Sequence, residues 1–239
     1  MNGQVIAFAA IALVVAAFVV MVILAVASGR KQAEQSQQAA ETLGFTPLEP
    51  PPAAIAERLL PLHQKGYHKI LEIRDLHRQN HPGCTLYLYD VWDVSDAGHD
   101  RDAAAVIALV APDLDLPHFL LFPKVDVVGW AGSMANQFIE KLIGLHARVI
   151  DFDERPNFSQ RYLVSGDDEV AVRRCLNGPV LAALTQTPLK NLIVSGWGDA
   201  LMVMMENTGT AQEDASASVS ARRAIALTLY ERMRAHPPN

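Results

Sequence analysis

Cysteine is scarce in this chain: Cys84 and Cys175 are the two in 239 residues. A disulfide scaffold does not fit so few thiols, and the composition suits a reducing compartment. Glycine-rich phosphate cradles are missing as well. No P-loop and no G-x-G-x-x-G run occurs, so nucleotide binding has no support. Positive charge is in short supply, with 20 Lys and Arg against 26 Asp and Glu and a net charge of −6. That balance argues against a general nucleic-acid binder and against broad attraction to anionic lipid. The first 29 residues carry no charged side chain at all, and no internal repeat is evident.

That last absence is informative. From Val5 to Ala27 the chain runs apolar without interruption, and as a helix this segment reaches roughly 34 Å, enough to cross a hydrocarbon core of about 30 Å. Ala25-Val26-Ala27 resembles a signal-peptide cleavage site. However, Met1-Asn2-Gly3-Gln4 lacks the basic residues of a signal peptide, and the apolar run is too long. A retained helix is expected, since it satisfies its own backbone in lipid. Arg30 and Lys31 follow the run and nothing basic precedes it. The positive-inside rule therefore puts the N-terminus outside and the following domain in the cytoplasm, at a bacterial inner membrane.

The remainder divides by composition. Residues 1–29 read as the transmembrane helix. Residues 30–52 read as a helical stalk ended by Gly44 and Pro47, then the stiff linker Glu49-Pro50-Pro51-Pro52. Residues 53–208 read as one soluble domain, 209–219 as a polar linker and 220–239 as a C-terminal helix with Ile225, Leu229 and Met233 on its apolar face. Within the domain, a short helix is expected from Ala53 to Gln64. Strands are expected at Thr85–Trp92, Ala105–Ala111, His118–Phe122, Val149–Phe152 and Phe158–Val164, and a hairpin pairs Leu192–Ser195 with Leu201–Met205. Ala105–Ala111 is apolar on both faces, as a central, doubly covered strand must be. Helices are expected from Ser133 to Leu145, with Met134, Phe138 and Leu142 inward, and from Gly166-Asp167-Asp168-Glu169 onward. The fold class is α+β: about seven mainly antiparallel strands with two or three packed helices.

Four segments follow one another in a distinctive order. They are Leu114-Asp115-Leu116-Pro117-His118-Phe119-Leu120-Leu121-Phe122-Pro123, Ile150-Asp151-Phe152-Asp153, Pro156-Asn157-Phe158-Ser159, and Tyr162 to Glu169 with Val172-Arg173 close behind. Over about residues 84–205 this order resembles a group of uncharacterised bacterial membrane-anchored proteins, each with a single N-terminal transmembrane helix and one soluble domain. The resemblance implies that architecture and no particular activity. At Lys124 the chain departs from the acidic residue associated with that position in the group.

Few residues invite chemistry. His77, His81 and Cys84 are spaced H-x3-H-x2-C, a donor set suited to zinc, with His63 and His68 nearby. Convergence at that spacing needs a helix, and Pro82-Gly83 breaks it. Asp90, Asp93, Asp96, Asp100 and Asp102 crowd one loop with His99 but lack the register of a calcium loop. Asp151, Asp153 and Glu154 could divide acid and base roles, although Arg155 and Arg161 favour ion pairing. Ser195-Gly196-Trp197-Gly198 is no nucleophile elbow, because Ile193 occupies the place of the first glycine. Met202, Met204 and Met205 read as core rather than as an adaptable surface. Arg222, Arg223, Arg232 and Arg234 could meet lipid headgroups, against the net charge.

The expected function is a membrane-tethered, non-enzymatic module that recruits or regulates a protein partner. It touches the bilayer through residues 5–27, with no cofactor and no nucleic acid. The alternative is a membrane-anchored metal-dependent hydrolase using His77, His81 and Cys84 or the Asp90–Asp102 region.

Overall fold

The computed structural model describes residues 37–63, 69–95, 100–124, 148–205 and 215–235. The expected membrane helix at Val5–Ala27, the start of the stalk and the helix expected at Ser133–Leu145 lie outside the described residues, as do His68, Asp96 and His99. Among the described residues, no helix is long and apolar enough to cross a membrane.

The architecture is α+β, built on one nine-stranded antiparallel sheet. The strands are β1 (Thr46–Pro47), β2 (Leu71–His81), β3 (Cys84–Asp93), β4 (Asp100–Val110), β5 (Leu116–Pro123), β6 (Arg148–Ile150), β7 (Tyr162–Gly166), β8 (Leu192–Gly198) and β9 (Ala200–Met205). Their order across the sheet is β1-β2-β3-β4-β9-β8-β5-β7-β6. The helices are α1 (residues 37–42), α2 (Ala53–Leu59), α3 (Pro156–Ser159), α4 (Glu169–Cys175), α5 (Gly178–Gln186) and α6 (Ala215–Arg234).

Alternation along the central strand explains why both faces are covered. On β4, Ile107 and Leu109 point into one apolar cluster with α1, α4, α5 and α6, while Val106, Ala108 and Val110 point into a second beneath α2 and the 3-10 turn Leu60–Leu62. Helix α6 contributes Val219, Ile225, Ala226, Leu229, Tyr230 and Met233 to the first cluster. These are the stripe positions expected for this helix, extended by further contacts.

Local chemistry fixes the helix ends. Gly44, at φ +77°, ends α1: its N–H donates to Glu41 C=O, and the Phe45 N–H donates to Ala40 C=O. This is the double bond pattern of a Schellman cap. Asp168 caps α4 through the Ala171 N–H at 3.1 Å. Asn177 caps α5 through the Val180 N–H at 3.2 Å.

Several expectations are corrected. Among the described residues the sheet has nine strands rather than about seven. The long strand β2 carries no clean period because a bulge at Asp75 (φ +51°) puts Leu71, Ile73 and Leu76 on one face. The expected strand Phe158–Val164 is split: Phe158 belongs to α3, opened by Pro156, and the strand begins at Tyr162. The helix expected from Gly166-Asp167-Asp168-Glu169 onward ends at Cys175, and Gly178 and Pro179 open a separate helix with its own cap. The polar stretch 209–219 is helical from Ala215, because alanine favours helix and Val219 is fully buried. The stalk does not stand clear of the domain. Ala39, Ala40 and Phe45 are core residues, and β1 pairs with β2 ahead of the proline linker.

A second bulge sits between β3 and β4, where Ala105 adopts φ +49° and the pairing register shifts between Tyr89 and Val91. Two buried charged residues complete it. The Asp90 carboxylate, 5 % exposed, accepts from the Ala105 N–H at 2.7 Å and lies 3.3 Å from Arg101. Arg222 of α6, also 5 % exposed, donates to Ala104 C=O at 3.2 Å and to Ser218 C=O at 3.2 Å. Burial pushes the Asp90 carboxyl above its ordinary range, and the Ala105 N–H and the Arg101 guanidinium pull it back. On the opposite face, His63 is 6 % exposed and its Nε2 shares a hydrogen bond of 3.0 Å with the Tyr89 hydroxyl. Burial lowers the imidazole from 6.5 to about 4, although Asp102 pulls upward.

Two outcomes follow for stability. Asp90→Ala strands the Ala105 N–H and takes from Arg101 its carboxylate, so denaturant unfolding shows a loss of about 3 kcal/mol. The His63 imidazole is neutral in the fold, whereas the unfolded chain takes up a proton first as pH falls. Its contribution is therefore complete above pH 6.5 and is lost between 6.5 and about 4. The gap is worth on the order of 3 kcal/mol. His63→Gln keeps a partner for Tyr89 but does not titrate. Unfolding measured from pH 7 to pH 4 shows the wild-type stability falling more steeply than that of the variant.

Candidate interaction site

Phe119 of β5 is fully buried and stands in register with a glycine on each neighbouring strand, Gly166 of β7 and Gly196 of β8. Both glycines are needed for space. A Cβ on Gly196 would lie 2.2 Å from Phe119 Cε1, and a Cβ on Gly166 would lie 2.7 Å from Val172 Cγ2 and 2.8 Å from His118 C=O. With the three strands drawn together, the residues next to this row converge on the surface.

There, His118 Nδ1 lies 3.0 Å from the Asp167 carboxylate, and its ring meets Trp197 edge to face at 4.8 Å between centroids. Trp197 remains 48 % exposed. It forms the last pair of the β8–β9 hairpin with Ala200. Gly198 follows at φ +56°, as the first central residue of a tight hairpin turn. The tip is fixed from two sides. Asp199 accepts from Arg58 of α2 at 2.9 Å, and its C=O accepts from the Ala111 N–H at 2.9 Å. The site is thus a half-exposed indole on a rigid turn, braced by an imidazole that a carboxylate orients. Held this way, the ring loses little freedom on contact with a partner. The sequence marked the glycines and Trp197 but not the His118–Asp167 pair, whose members are 49 positions apart and carry no local signal.

The residues expected to carry chemistry are dispersed. Cys84 Sγ is 3.8 Å from His81 Nδ1 across the β2–β3 turn. His77 bonds through Nδ1 to Asp75 C=O at 2.8 Å. It lies four strand positions from His81, roughly 13 Å along an extended chain. The Cys84 thiol is raised by burial first and by Asp113 second, the reverse of a reactive thiolate. Among the described residues, no group of three or more His, Cys, Asp or Glu side chains is placed to hold a metal ion. In the aspartate-rich loop, Asp90 completes the bulge, Asp93 accepts from the Ser95 N–H at 3.0 Å, and Asp102 pairs with Lys69. Asp151 and Asp153 are exposed, and Glu154 pairs with Arg173 at 3.0 Å rather than with Arg155 or Arg161. Met202 is buried as expected of core. Three of the four C-terminal arginines serve the fold: Arg222 at the bulge, Arg223 on Gln79 at 2.7 Å, and Arg234 on Asp113 at 2.9 Å.

No protein-family model matches the chain, and no curated protein matches it. Among solved structures, the chain is similar to the mycobacterial trehalose monomycolate transport factor A, TtfA. The TM-score is 0.54 at 12 % sequence identity, over 88 % of this chain and 98 % of that one. At such low identity the likeness is one of fold.

Gly196→Ala forces a methyl group into the Phe119 ring, and overpacking of this kind costs about 2 kcal/mol. Thermal unfolding registers the loss, and Phe119→Leu in the same chain recovers part of it by vacating the overlap.

Proposed function

We propose that this chain is a membrane-tethered, non-enzymatic module that recruits or regulates a protein partner at the inner face of a bacterial plasma membrane. The observation that carries this reading is Trp197: a large apolar side chain, 48 % exposed, on a turn clamped by Arg58 and Ala111 and backed by His118. Exposed aromatic anchors on rigid supports dominate the energetics of protein interfaces. The apolar run Val5–Ala27 followed by Arg30 and Lys31 supports the tether and its orientation. The fold likeness to a protein named a transport factor supports an accessory role in preference to a catalytic one. Tethering in turn raises the concentration of the module around other membrane components.

The test uses the full chain in cell membranes, with a photo-crosslinking phenylalanine analogue replacing Trp197 and, separately, Trp197→Ala. The expected result is one discrete crosslinked species from position 197. Recovery of the same protein on the tagged wild-type chain falls at least about tenfold in Trp197→Ala, the scale of one interface anchor, while thermal unfolding stays unchanged. Equal recovery by both chains, or no crosslinked species from position 197, overturns the proposal.

A further inference from the structure

A cleft of about 430 Å³ lies between the α3 segment and α5, lined by Glu154, Arg155, Pro156, Phe158, Leu181 and Ala182 among others. That volume is in the range of small-molecule clefts, about 300–1,000 Å³. Its floor is apolar and stiff. Phe158 is held edge to face against Phe152 at 5.3 Å and tilted against Tyr162 at 5.4 Å between centroids, and Leu181 is buried beside it.

The rim carries one acid and one cation, and they do not neutralise each other. Glu154 is engaged by Arg173 at 3.0 Å, and Arg173 is held in turn by Glu169 at 2.9 Å. Among the described residues, Arg155 has no ion pair and no side-chain hydrogen bond. Its backbone is tied down, with the N–H donating to Phe152 C=O at 2.8 Å and the C=O accepting from Phe158 and Ser159. The guanidinium reaches the start of α5, where Nη2 lies 4.0 Å from the point a Cβ on Gly178 would occupy. The positive end of that helix adds to the field there. A planar fork of donors beside an apolar floor matches a carboxylate joined to a short hydrocarbon.

We infer that this cleft binds a small anionic amphiphile, with the acid head on Arg155 and the apolar tail across Phe158, Leu181 and Ala182. A bilayer surface is the less suitable occupant, because the chain carries a net charge of −6 and anionic lipid repels it.

Octanoate is the probe, added to the full chain in nanodiscs of zwitterionic lipid. The readout is the rate at which phenylglyoxal modifies Arg155, followed by mass spectrometry. Octanoate slows this modification saturably, by about fivefold or more, because a guanidinium in a paired carboxylate bridge is withdrawn from the reagent. Acetate at the same concentration does not, since it lacks the tail, and octyltrimethylammonium does not, since it has the wrong charge. Exposed Arg174 keeps its rate throughout and serves as the control within the same sample. Ala182→Trp fills the cleft from the surface of α5, and the ratio of rates with and without octanoate falls to one. Equal protection by acetate, equal protection by the cation, or an unchanged ratio in Ala182→Trp overturns the inference. So does protection of Arg155 by nanodiscs of anionic lipid without added octanoate, which assigns the residue to a membrane surface.

Discussion

A hydrogen-bonding obligation inside the sheet governs much of this molecule. Where β3 and β4 fall out of register, the N–H of buried Ala105 and the C=O of half-buried Ala104 lose their ladder partners. Asp90 supplies the acceptor from within the sheet, and Arg222 supplies the donor from α6. The charges are stabilised by one another's field and by Arg101. This requirement sets the seat of α6 more narrowly than apolar packing could, since hydrophobic contact is non-directional and a guanidinium reaching a particular carbonyl is not. The helix in turn closes the first apolar cluster, so a defect in strand pairing specifies the position of the longest described helix.

The far half of the sheet works by the opposite means, through missing side chains. Gly196 leaves room for the Phe119 ring on one side, and Gly166 on the other leaves room for Val172 and the His118 carbonyl. The close approach of β5, β7 and β8 then brings His118, Asp167 and Trp197 together at the surface. One construction therefore serves packing and display: the face of β5 that buries Phe119 is the reverse of the face that supports the exposed indole.

What could be read in advance follows this division between local and distant causes. Gly44 ending α1, Asp168 opening α4, and the doubly apolar run in β4 depend on neighbours within a few positions, and all were readable. The strand β2 was not, because its bulge moves Leu76 out of the period set by Leu71 and Ile73. Phe158 misled because an aromatic residue before a strand resembles the strand itself, while Pro156 had already committed the backbone to a helical turn. The His118–Asp167 pair and the Arg222 contact with Ala104 arise only from topology, across 49 and 118 positions respectively. No periodicity or spacing rule spans such separations. The histidine and cysteine spacing at 77, 81 and 84 illustrates the converse. Its convergence needs a helix that Pro82-Gly83 denies, and in a strand the same spacing keeps His77 away from the other two.

The position of the last hairpin has a consequence for how the chain is made. Strands β8 and β9 lie in the middle of the sheet, between β4 and β5, although they are the last of the described strands along the chain. Until they emerge from the ribosome, the partial sheet ending in β4 and the one containing β5 and β7 each expose an unpaired inner edge. Synthesis of the stretch from Val110 to Ala200, about 90 residues, occupies on the order of 5–20 s at typical elongation rates. Through that interval the apolar stretch Ile107–Val110 of β4 stands as an open template for strand pairing, and the β5 edge joins it once β7 has been made. Its safe production therefore depends on whatever shields nascent chains, and slow codons within this stretch would lengthen the exposure.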